Sequence, residues 1–351
     1  MLLQENIPLA PLTTFKIGGP ANYYVEAATP GEVQEAVTFA RSRDLPLFVL
    51  GGGSNLVVSD AGWQGLVLKV ALQGIEQRAG HDENGSVIFD AGAGESWDRF
   101  VSHAAMARCA GVECLSGIPG SVGGTPVQNV GAYGQEVADT ISSVEVLDLK
   151  DSQVRELCRE ACGFSYRASI FNTTERGRFI VLRVTYALTP GGKPRIAYAD
   201  LKRHFEGRET TPDLAETREA VRHIRALKGM LIVPGDADCQ SAGSFFKNPV
   251  LSETEHERLK QRAATRGLTV PSYPALETRK KVSAAWLVER SGFNKGFGFG
   301  RVGISSKHAL AIVNRGGATS GEVIALKEQI QQRVEEIWGV KLEPEPVMVG
   351  F

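Results

Sequence analysis

The stretch that decides the fold is 116–134, SGIPGSVGGTPVQNVGAYG. Its glycines lie where successive backbone N–H groups can converge, because glycine adopts positive φ without a Cβ penalty. Converging N–H groups form a nest that binds anions, and phosphate is the usual ligand. A second glycine-rich turn, LGGGSNLVV, occupies 50–58. Two such turns predict a ligand with a long phosphorylated spine, such as a dinucleotide cofactor.

Two familiar nucleotide-binding motifs do not fit these turns. The dinucleotide fingerprint needs a third glycine and a following helix, whereas Leu56 takes the glycine's place and 65–70 predicts a strand. No GxxxxGK[ST] run occurs, which excludes the phosphate-binding loop of NTPases. A structural alternative, tight turns between strands, stays open for 51–53. It is less favoured for 116–134, where Gln128 and Asn129 stand among the glycines.

Length and composition are typical of a soluble globular protein with more than one domain. A length of 351 residues predicts two or three domains, and 42% hydrophobic with 23% charged residues is typical of globular chains. The net charge of -1 gives no electrostatic footprint for nucleic acid or an acidic membrane. Residues 1–11 lack a basic region followed by an apolar run, so we expect no secretory signal.

The cysteines and histidines predict free thiols and no metal. Five cysteines, an odd number, favour a reducing cytoplasm. Cys158 and Cys162 have the i,i+4 spacing of a helix, but no histidine stands nearby to complete a ligand set. The six histidines are scattered and form no HExxH motif.

Caps and apolar stripes predict alternating helices and strands in the first part of the chain. Thr29 begins a capping box, and a helix from about Ser96 is expected to end near Gly111. Strands are predicted at 47–50, 65–70, 87–90, 144–149 and 179–188.

A change of character near Lys228 predicts a separate α+β domain. Thr211-Pro212 is expected to cap the helix that precedes it. Beyond it, helices are predicted after Ser252, Ser283 and Ser320, and a strand at 309–314.

Four further segments contain candidate chemical groups. They are 165–171 with Arg167, 195–201 with Tyr198, 241–249 with Ser244, and 342–346 with Glu345. Taken singly, each group has a structural interpretation: a helix-surface arginine, a packing tyrosine, a turn serine and a solvated glutamate.

Taken together, these segments resemble one family. In order along the chain, the segments 14–19, 51–55, 118–120, 128–134, 166–167, 243–249 and 342–345 resemble the UDP-N-acetylenolpyruvylglucosamine reductases, the MurB flavoenzymes of bacterial peptidoglycan synthesis. The resemblance covers essentially the whole chain. Its most specific motifs are QNVGAYG at 128–134 and GSFFKNP at 243–249.

The resemblance implies an α+β fold with two domains. Residues 1–225 would form an FAD-binding domain of the vanillyl-alcohol-oxidase (PCMH) type, in two α+β subdomains of about 1–72 and 73–225. Residues 226–351 would form a C-terminal α+β substrate-binding domain. NADPH would reduce FAD, which would then reduce the enolpyruvyl group of UDP-N-acetylglucosamine enolpyruvate to give UDP-N-acetylmuramate. We expect non-covalent FAD, because neither glycine turn contains a nucleophilic side chain, and a cytoplasmic monomer without nucleic-acid or membrane partners.

The resemblance also implies site residues. Ser244 would be the proton donor, while Arg167 and Glu345 would act on the substrate carboxylate. Glu345 is preferred to Glu343 because it follows the proline of the family motif. The implied substrate-binding residues are Tyr166, Tyr198, Lys228 and Asn248, of which Tyr198 corresponds to the tyrosine of a mobile loop. The implied FAD-binding residues are Gly51, Gly52, Gly53, Ser54, Asn55, Ile118, Gly120, Gly123, Gly124, Val127, Gly131, Val181 and Arg225.

These roles agree with elementary chemistry. Hydride addition to the enol ether leaves negative charge beside the carboxylate, and the planar guanidinium of Arg167 suits that charge. Glu345, beside a carboxylate, is expected to be protonated and to donate a hydrogen bond. Ser244 is a weak acid, but a carbanion-like centre needs a well-placed acid more than a strong one.

Two other functions are compatible with the sequence. One is an FAD oxidase of the same superfamily that acts on a hydroxy acid or lactone. Such enzymes often tether the flavin through histidine or cysteine, and neither glycine turn contains one. The other is a non-catalytic nucleotide-binding or sensor protein, which requires that Arg167, Ser244 and Glu345 do not converge.

Overall fold

The computed structural model describes residues 1–275 and 278–351. In chain order the strands and helices are β1 Leu3–Pro8, β2 Pro20–Ala27, α1 Pro30–Ser42, β3 Leu47–Leu50, β4 Leu56–Val58, β5 Trp63–Val70, β6 Ile75–Gln77, β7 Val87–Gly92, α2 Trp97–Met106, β8 Cys109–Ala110, β9 Gly131–Ala132, β10 Gln135–Glu136, β11 Ile141–Asp148, β12 Gln153–Cys158, β13 Phe179–Pro190, α3 Ala199–His204, α4 Leu214–Leu227, β14 Val250–Leu251, α5 Glu253–Ala264, β15 Ser272–Pro274, β16 Lys280–Val282, α6 Ala284–Glu289, β17 Gly298–Phe299, β18 Val302–Ile304, β19 Ile312–Asn314, α7 Ser320–Trp338 and β20 Val347–Val349.

The chain divides into two compact units. Unit 1 consists of Met1–Ile7, Ala21–Gly53 and Gln64–Leu227. Unit 2 consists of Pro8–Pro20, Ser54–Trp63 and Lys228–Phe351. Two short N-terminal stretches therefore belong with the C-terminal part, which no local sequence pattern indicated. The assignment of 1–225 to FAD and 226–351 to substrate stays a prediction.

The first sheet of unit 1 has the strand order β1-β2-β5-β3, and its β3 and β5 run parallel. Helix α1 buries Val33, Ala36, Val37 and Ala40, one face of a helix. The Thr29 capping box is confirmed, since its hydroxyl accepts the N–H of Glu32 and the Glu32 carboxylate accepts the N–H of Thr29. This layer positions the first glycine turn, which follows β3 directly.

The second sheet of unit 1 positions the 116–134 segment. Its strand order is β12-β11-β13-β7-β6, with antiparallel neighbours. Helix α2, capped by Ser96 as predicted, places the ring of Phe100 with its centroid 4.5 Å from that of Tyr186 on β13. The hydroxyl of fully buried Tyr186 lies 2.7 Å from Thr125 Oγ1. The core of this sheet therefore fixes the middle of the glycine-rich segment.

Unit 2 is built around α7. The sheets β14-β16-β15 and β17-β18-β19 are antiparallel, and β20 pairs in parallel with β4. Helix α7 buries Val323, Leu326, Ile330, Val334 and Trp338. Each fully buried aliphatic side chain of this kind stabilises the fold by about 1.5–3 kcal/mol.

The N-terminal stretch of unit 2 is held by the buried Asn314. Its Nδ2 donates to the carbonyl of Phe15 at 3.1 Å and to that of Lys16 at 3.3 Å. Phe15 itself is fully buried in the unit 2 core. A long-range contact thus assigns residues 8–20 to unit 2.

Several local predictions were wrong by a residue or more at element ends. Helix α2 ends at Met106, so Gly111 is not its stop. Asp213 rather than Thr211 caps α4, because Asp213 Oδ1 accepts the Glu216 N–H at 2.8 Å.

The remaining differences lie further along the chain or in its cysteines. Thr319 caps α7, whereas Ser320 is its first residue and bonds Asp60. The predicted strand at 309–314 is β19 alone, 312–314. Cys158 ends β12, so it does not share a helix with Cys162.

Candidate active site and cofactor cradle

The two glycine turns approach each other within unit 1. A Cβ on Gly52 would overlap the Cα of Gly120 and lie 2.6 Å from its carbonyl carbon. A Cβ on Gly51 would lie 3.0 Å from Ser121 Oγ. Because these backbones nearly touch, Gly52 cannot carry a side chain. We call the two stretches 51–53 and 120–124 the cradle. The N–H groups of Val122, Gly123 and Gly124 donate to protein carbonyls, so the anion nest predicted for these turns stays a prediction.

The cradle contains an orphaned hydroxyl that fits a polar ligand. Ser121 Oγ is buried and has no hydrogen-bond partner within residues 1–275 and 278–351. A buried polar group without a partner costs about 1–3 kcal/mol, which a ligand oxygen would recover. Lys69 Nζ donates to the carbonyl of Gly51, and burial lowers the pKa of Lys69. A cation and an unused donor beside two glycine turns suit the pyrophosphate of FAD.

Neither Ser121 nor Lys69 was predicted as a site residue. Ser121 lies in the segment 116–134. Whether its hydroxyl has a hydrogen-bond partner depends on the folded surroundings, which the sequence does not show. Lys69 faces the cradle from β5 and follows no motif.

The start of the 116–134 segment is fixed at Gly117, whose φ is 70°. Its N–H donates to Asp98 Oδ1 at 2.6 Å, and its carbonyl accepts from Arg225 Nε at 3.1 Å. Burial raises the pKa of Asp98, but hydrogen bonds from Arg218 and the Gly117 N–H outweigh burial and hold it below its usual value. Burial lowers the pKa of Arg225. Arg225 thus contacts the predicted cofactor segment.

The remaining predicted FAD residues fall in both units. Val181 is buried on β13, and Ile118 and Val127 pack partly buried against the unit 1 core. Ser54 and Asn55 belong to unit 2, where Asn55 Nδ2 donates to the carbonyl of Glu345 at 3.3 Å.

Arg167 lies at the corner of a tight turn in unit 1. Ser165 and Ala168 donate backbone N–H groups to each other's carbonyls, at 2.9 and 3.2 Å, so Tyr166 and Arg167 are the two corner residues. Arg167 has φ 55°, a left-handed conformation that is costly for a side chain with a Cβ. Its guanidinium lies over the Tyr166 ring, 5.5 Å from the centroid. Strain of this kind, held by its surroundings, is typical of a functional side chain.

The guanidinium of Arg167 is held by the QNVGAYG motif. Nη2 donates to the Gly131 carbonyl at 2.6 Å, and Nη1 donates to the Asn129 carbonyl at 3.3 Å. A Cβ on Gly131 would lie 3.1 Å from Nη1 and 2.7 Å from Glu136 Cγ. Gly131 therefore leaves room for the arginine.

Asn129 joins the motif to the turn. Its buried side chain donates to Glu136 Oε2 at 2.8 Å and to the Ser165 carbonyl at 3.0 Å, and accepts the Ala138 N–H at 3.1 Å. The amide that suggested ligand contact in the sequence is engaged within the protein.

Tyr198 precedes α3 as its N-cap residue, and its side chain is 46% exposed. Its ring meets the buried Tyr133 ring edge to face, with centroids 5.3 Å apart. Upstream, the Arg195 N–H donates to the buried Glu113 carboxylate at 2.9 Å, and Cys114 Sγ donates to the Arg195 carbonyl at 3.1 Å. The exposed ring is thus attached to a well-anchored segment.

Ser244 and Glu345 lie on adjoining backbone segments of unit 2. The Phe245 N–H donates to the Leu310 carbonyl at 2.7 Å, and the Phe245 carbonyl accepts the Glu345 N–H at 2.9 Å. Segment 241–247 is therefore held on both sides. Glu345 is partly buried, whereas the side chain of Glu343 is 77% exposed.

Two other predicted substrate residues also lie in unit 2. Asn248 Oδ1 accepts the Ala284 N–H at 2.9 Å, so the oxygen of its side-chain amide is engaged at the start of α6. Lys228 is partly buried directly after α4. His308, which the sequence analysis did not single out, places Nε2 3.2 Å from Ser244 Oγ.

Neither a metal-binding cluster nor a membrane-spanning helix occurs among the described residues. No group of three or more His, Cys, Asp or Glu side chains in residues 1–275 and 278–351 could hold a metal ion. In the same residues, no helix is long and apolar enough to cross a membrane.

Gly124→Val should weaken FAD binding while leaving the fold intact. A Cβ on Gly124 would meet no protein atom nearer than Ser121 Oγ at 3.9 Å, so the added side chain would occupy the cradle. We expect affinity to fall about 5- to 150-fold, equivalent to the 1–3 kcal/mol of overpacking. Equilibrium titration of the apoprotein with FAD would measure it.

Gly31→Val is the matched control for this change. Its Cβ would also meet only a hydroxyl, Thr29 Oγ1, at 3.9 Å, far from any glycine turn in sequence. Unchanged FAD affinity in Gly124→Val would contradict the cradle.

Comparison with known proteins identifies two domains. Residues 21–157 match the family model described as an FAD binding domain. Residues 234–349 match the C-terminal domain of UDP-N-acetylenolpyruvoylglucosamine reductase.

The chain is also similar to complete proteins. It is 45% identical over 353 residues to the UDP-N-acetylenolpyruvoylglucosamine reductase of Thermobifida fusca, covering 99% of this chain and 98% of that protein. It is 41% identical to the reductase of the same name from Pseudomonas aeruginosa, covering 98% of each. The crystal structure of the Thermus caldophilus reductase matches with a TM-score of 0.66 and 28% identity, over 99% of this chain and 100% of that one. These matches confirm the predicted α+β class, with an FAD-binding domain plus a C-terminal domain.

Proposed function

The chain belongs to the UDP-N-acetylenolpyruvoylglucosamine reductase family, and on that premise we propose which of its residues carry the reaction. It is an FAD-dependent oxidoreductase, a UDP-N-acetylmuramate dehydrogenase, that reduces the enolpyruvyl group of UDP-N-acetylglucosamine enolpyruvate for peptidoglycan synthesis. The full-length similarity at 41–45% identity is the observation that carries this function. The oxidase alternative is not favoured. Mass spectrometry of a reaction with NADPH and the enolpyruvyl nucleotide tests it, because only the reductase forms the lactyl ether.

The cradle of unit 1 is the proposed seat of FAD. The chemistry that bound FAD would supply is hydride transfer from NADPH to the enolpyruvyl group. Gly51, Gly52 and Gly120 provide close backbone approach, and Ser121 Oγ provides an unused hydroxyl. The anion of the cofactor would satisfy that hydroxyl and lie beside Lys69.

Arg167 is proposed to bind the substrate carboxylate. The two carbonyls of the QNVGAYG motif fix its guanidinium, so little side-chain entropy is lost when it binds an anion. As charge spreads into the carboxylate, a fixed cation stabilises it without reorganisation.

Ser244 and Glu345 are proposed to act on the enolpyruvyl group of the substrate. Their backbones are joined through Phe245, which favours a joint role. Ser244 donates its proton to the carbon beside the carboxylate, and Glu345 donates a hydrogen bond to the carboxylate. The exposure of Glu343 supports choosing Glu345.

We further propose that the enzyme is a cytoplasmic monomer. The five thiols of the structure are all free, as suits a reducing compartment. Sedimentation equilibrium at several concentrations would test the monomer.

The flavin should be released by acid. No histidine or cysteine lies in 51–53 or 120–124, so no covalent link is expected. After acid precipitation, the yellow colour should stay in the supernatant. Colour that stays in the pellet would contradict this placement of the cofactor.

Tyr198→Ala should raise the apparent KM for the enolpyruvyl nucleotide and leave flavin reduction by NADPH near wild type. Its exposed ring can cover the nucleotide, and remote binding energy of this kind positions the reacting end. Tyr198→Phe is the matched variant that keeps the ring. If Tyr198→Ala slowed only the NADPH half-reaction, the proposed role would be wrong.

A further inference from the structure

His308 forms a hydrogen bond with the hydroxyl of Ser244 in unit 2. Its Nε2 lies 3.2 Å from Ser244 Oγ, and both side chains are partly buried. Nothing in the motifs that identified the family singles out this histidine.

The turn that carries His308 is rigidly built. Fully buried Ser305 accepts the N–H groups of Lys307 and His308 at 3.0 and 3.2 Å through its hydroxyl. Ser306 Oγ donates to Asp238 at 2.6 Å, and Lys307 Nζ pairs with Asp236 at 2.5 Å. The backbone of the turn is therefore held in place by bonds that do not involve Ser244.

Backbone hydrogen bonds also join this turn to the segment that carries Ser244. The Leu310 carbonyl accepts the Phe245 N–H at 2.7 Å, and the Ala311 N–H donates to the His308 carbonyl at 3.2 Å. Backbone bonds next to both residues thus fix the positions of their backbones relative to each other.

The direction of this hydrogen bond matters for a proton donor. If Ser244 donates to Nε2, its proton points away from the substrate. If Nε2–H donates to Oγ, the hydroxyl proton is available to the substrate carbon and the oxygen is stabilised as it becomes negative. Only the second arrangement supports proton transfer.

We propose that His308 is the positioning residue of Ser244, with Nε2–H donating to Oγ so that the serine proton faces the substrate carbon. The proposal rests on the role given to Ser244 above. In the step, the Oγ–H bond breaks, a C–H bond forms, and the electron pair of the broken bond stays on Oγ. The His308 hydrogen bond stabilises that oxygen until water returns the proton.

His308→Leu should slow reoxidation of the flavin by the enolpyruvyl nucleotide about 10- to 100-fold, as for loss of a hydrogen bond to a developing charge. Flavin reduction by NADPH and the dissociation constant of the nucleotide should stay near wild type. His308→Gln retains an N–H donor at a similar reach and should recover most of the loss. Lys295→Gln, a change at an exposed lysine of unit 2 outside this turn, is the control and should reoxidise within about twofold of wild type. Stopped-flow absorbance would measure all three.

A double-mutant cycle separates this role from a direct one. In a Ser244→Ala background, His308→Leu should cause no further slowing, because its effect passes through the missing hydroxyl. Additive slowing would overturn the proposal, as would normal reoxidation in His308→Leu when Ser244→Ala is slow. Normal reoxidation in Ser244→Ala would remove the role of the serine and this proposal with it.

Nitrogen NMR gives a readout independent of activity. In protein labelled with [15N]histidine, the resonance missing from His308→Gln identifies this ring. The Nε2 signal should be that of a protonated nitrogen and should shift in Ser244→Ala. An unprotonated Nε2, or one that does not respond to Ser244→Ala, would contradict the donor role.

Discussion

Replacing Ser244 with alanine should slow reoxidation of the flavin by the enolpyruvyl nucleotide by about 10²–10⁴-fold, as expected for loss of a general acid. Flavin reduction by NADPH needs no proton from this residue and should stay near wild type. The side chain lies on a turn and is only partly buried, so FAD content and the free energy of unfolding should change little. Rapid mixing of the two half-reactions separately would measure both.

Ser244→Cys provides the conservative comparison. A thiol can also donate a proton, so this variant should reoxidise faster than Ser244→Ala. If Ser244→Ala reoxidised at the wild-type rate, Glu345 would replace it as the proposed acid.

Arg167→Met should reduce the rate of the same half-reaction by about 10²–10³-fold, comparable to removing one oxyanion donor. Arg167→Lys keeps the charge but loses the planar fork, so an intermediate rate is expected. Steady-state and single-turnover rates with the enolpyruvyl nucleotide would measure both variants.

The control for Arg167 must separate chemistry from folding, because its guanidinium also binds the carbonyls of Asn129 and Gly131. FAD retention and thermal unfolding of Arg167→Met report on that segment. Arg176→Met, a change at an exposed arginine close in sequence, should leave the rate within about twofold. Equal loss in both variants would remove the carboxylate role of Arg167.

Local signals predicted the elements of this fold well. The capping boxes at Thr29 and Ser252 and the caps at Ser96 and Ser283 act within one helical turn, so the sequence contains all the information they need. The error at Ser320 has a physical reason. Thr319 and Ser320 are both able to cap, and the carboxylate of Asp60, distant in sequence, engages Ser320.

Long-range contacts account for what the sequence did not predict. Asn314 draws residues 8–20 into unit 2 through the carbonyls of Phe15 and Lys16. His308 reaches Ser244 because Leu310 bonds Phe245. Such pairings depend on residues far apart in the chain, and no local pattern specifies them.

The candidate site was predicted through motifs rather than periodicity. The glycine turns alone indicated an anion site, and the structure brings the backbone of Gly52 against that of Gly120. The unsatisfied hydroxyl of Ser121 could not be predicted, because it is defined by the absence of a neighbouring partner among the described residues.

The most direct test of the central claim is NADPH consumption under anaerobic conditions, followed by absorbance, with and without UDP-N-acetylglucosamine enolpyruvate. We predict that the purified protein oxidises NADPH continuously only when the enolpyruvyl nucleotide is present, one NADPH for each nucleotide reduced. Without the nucleotide, oxidation should stop once the bound flavin is reduced. Continuous NADPH oxidation that needs oxygen and ignores the nucleotide would contradict the assignment and favour an oxidase.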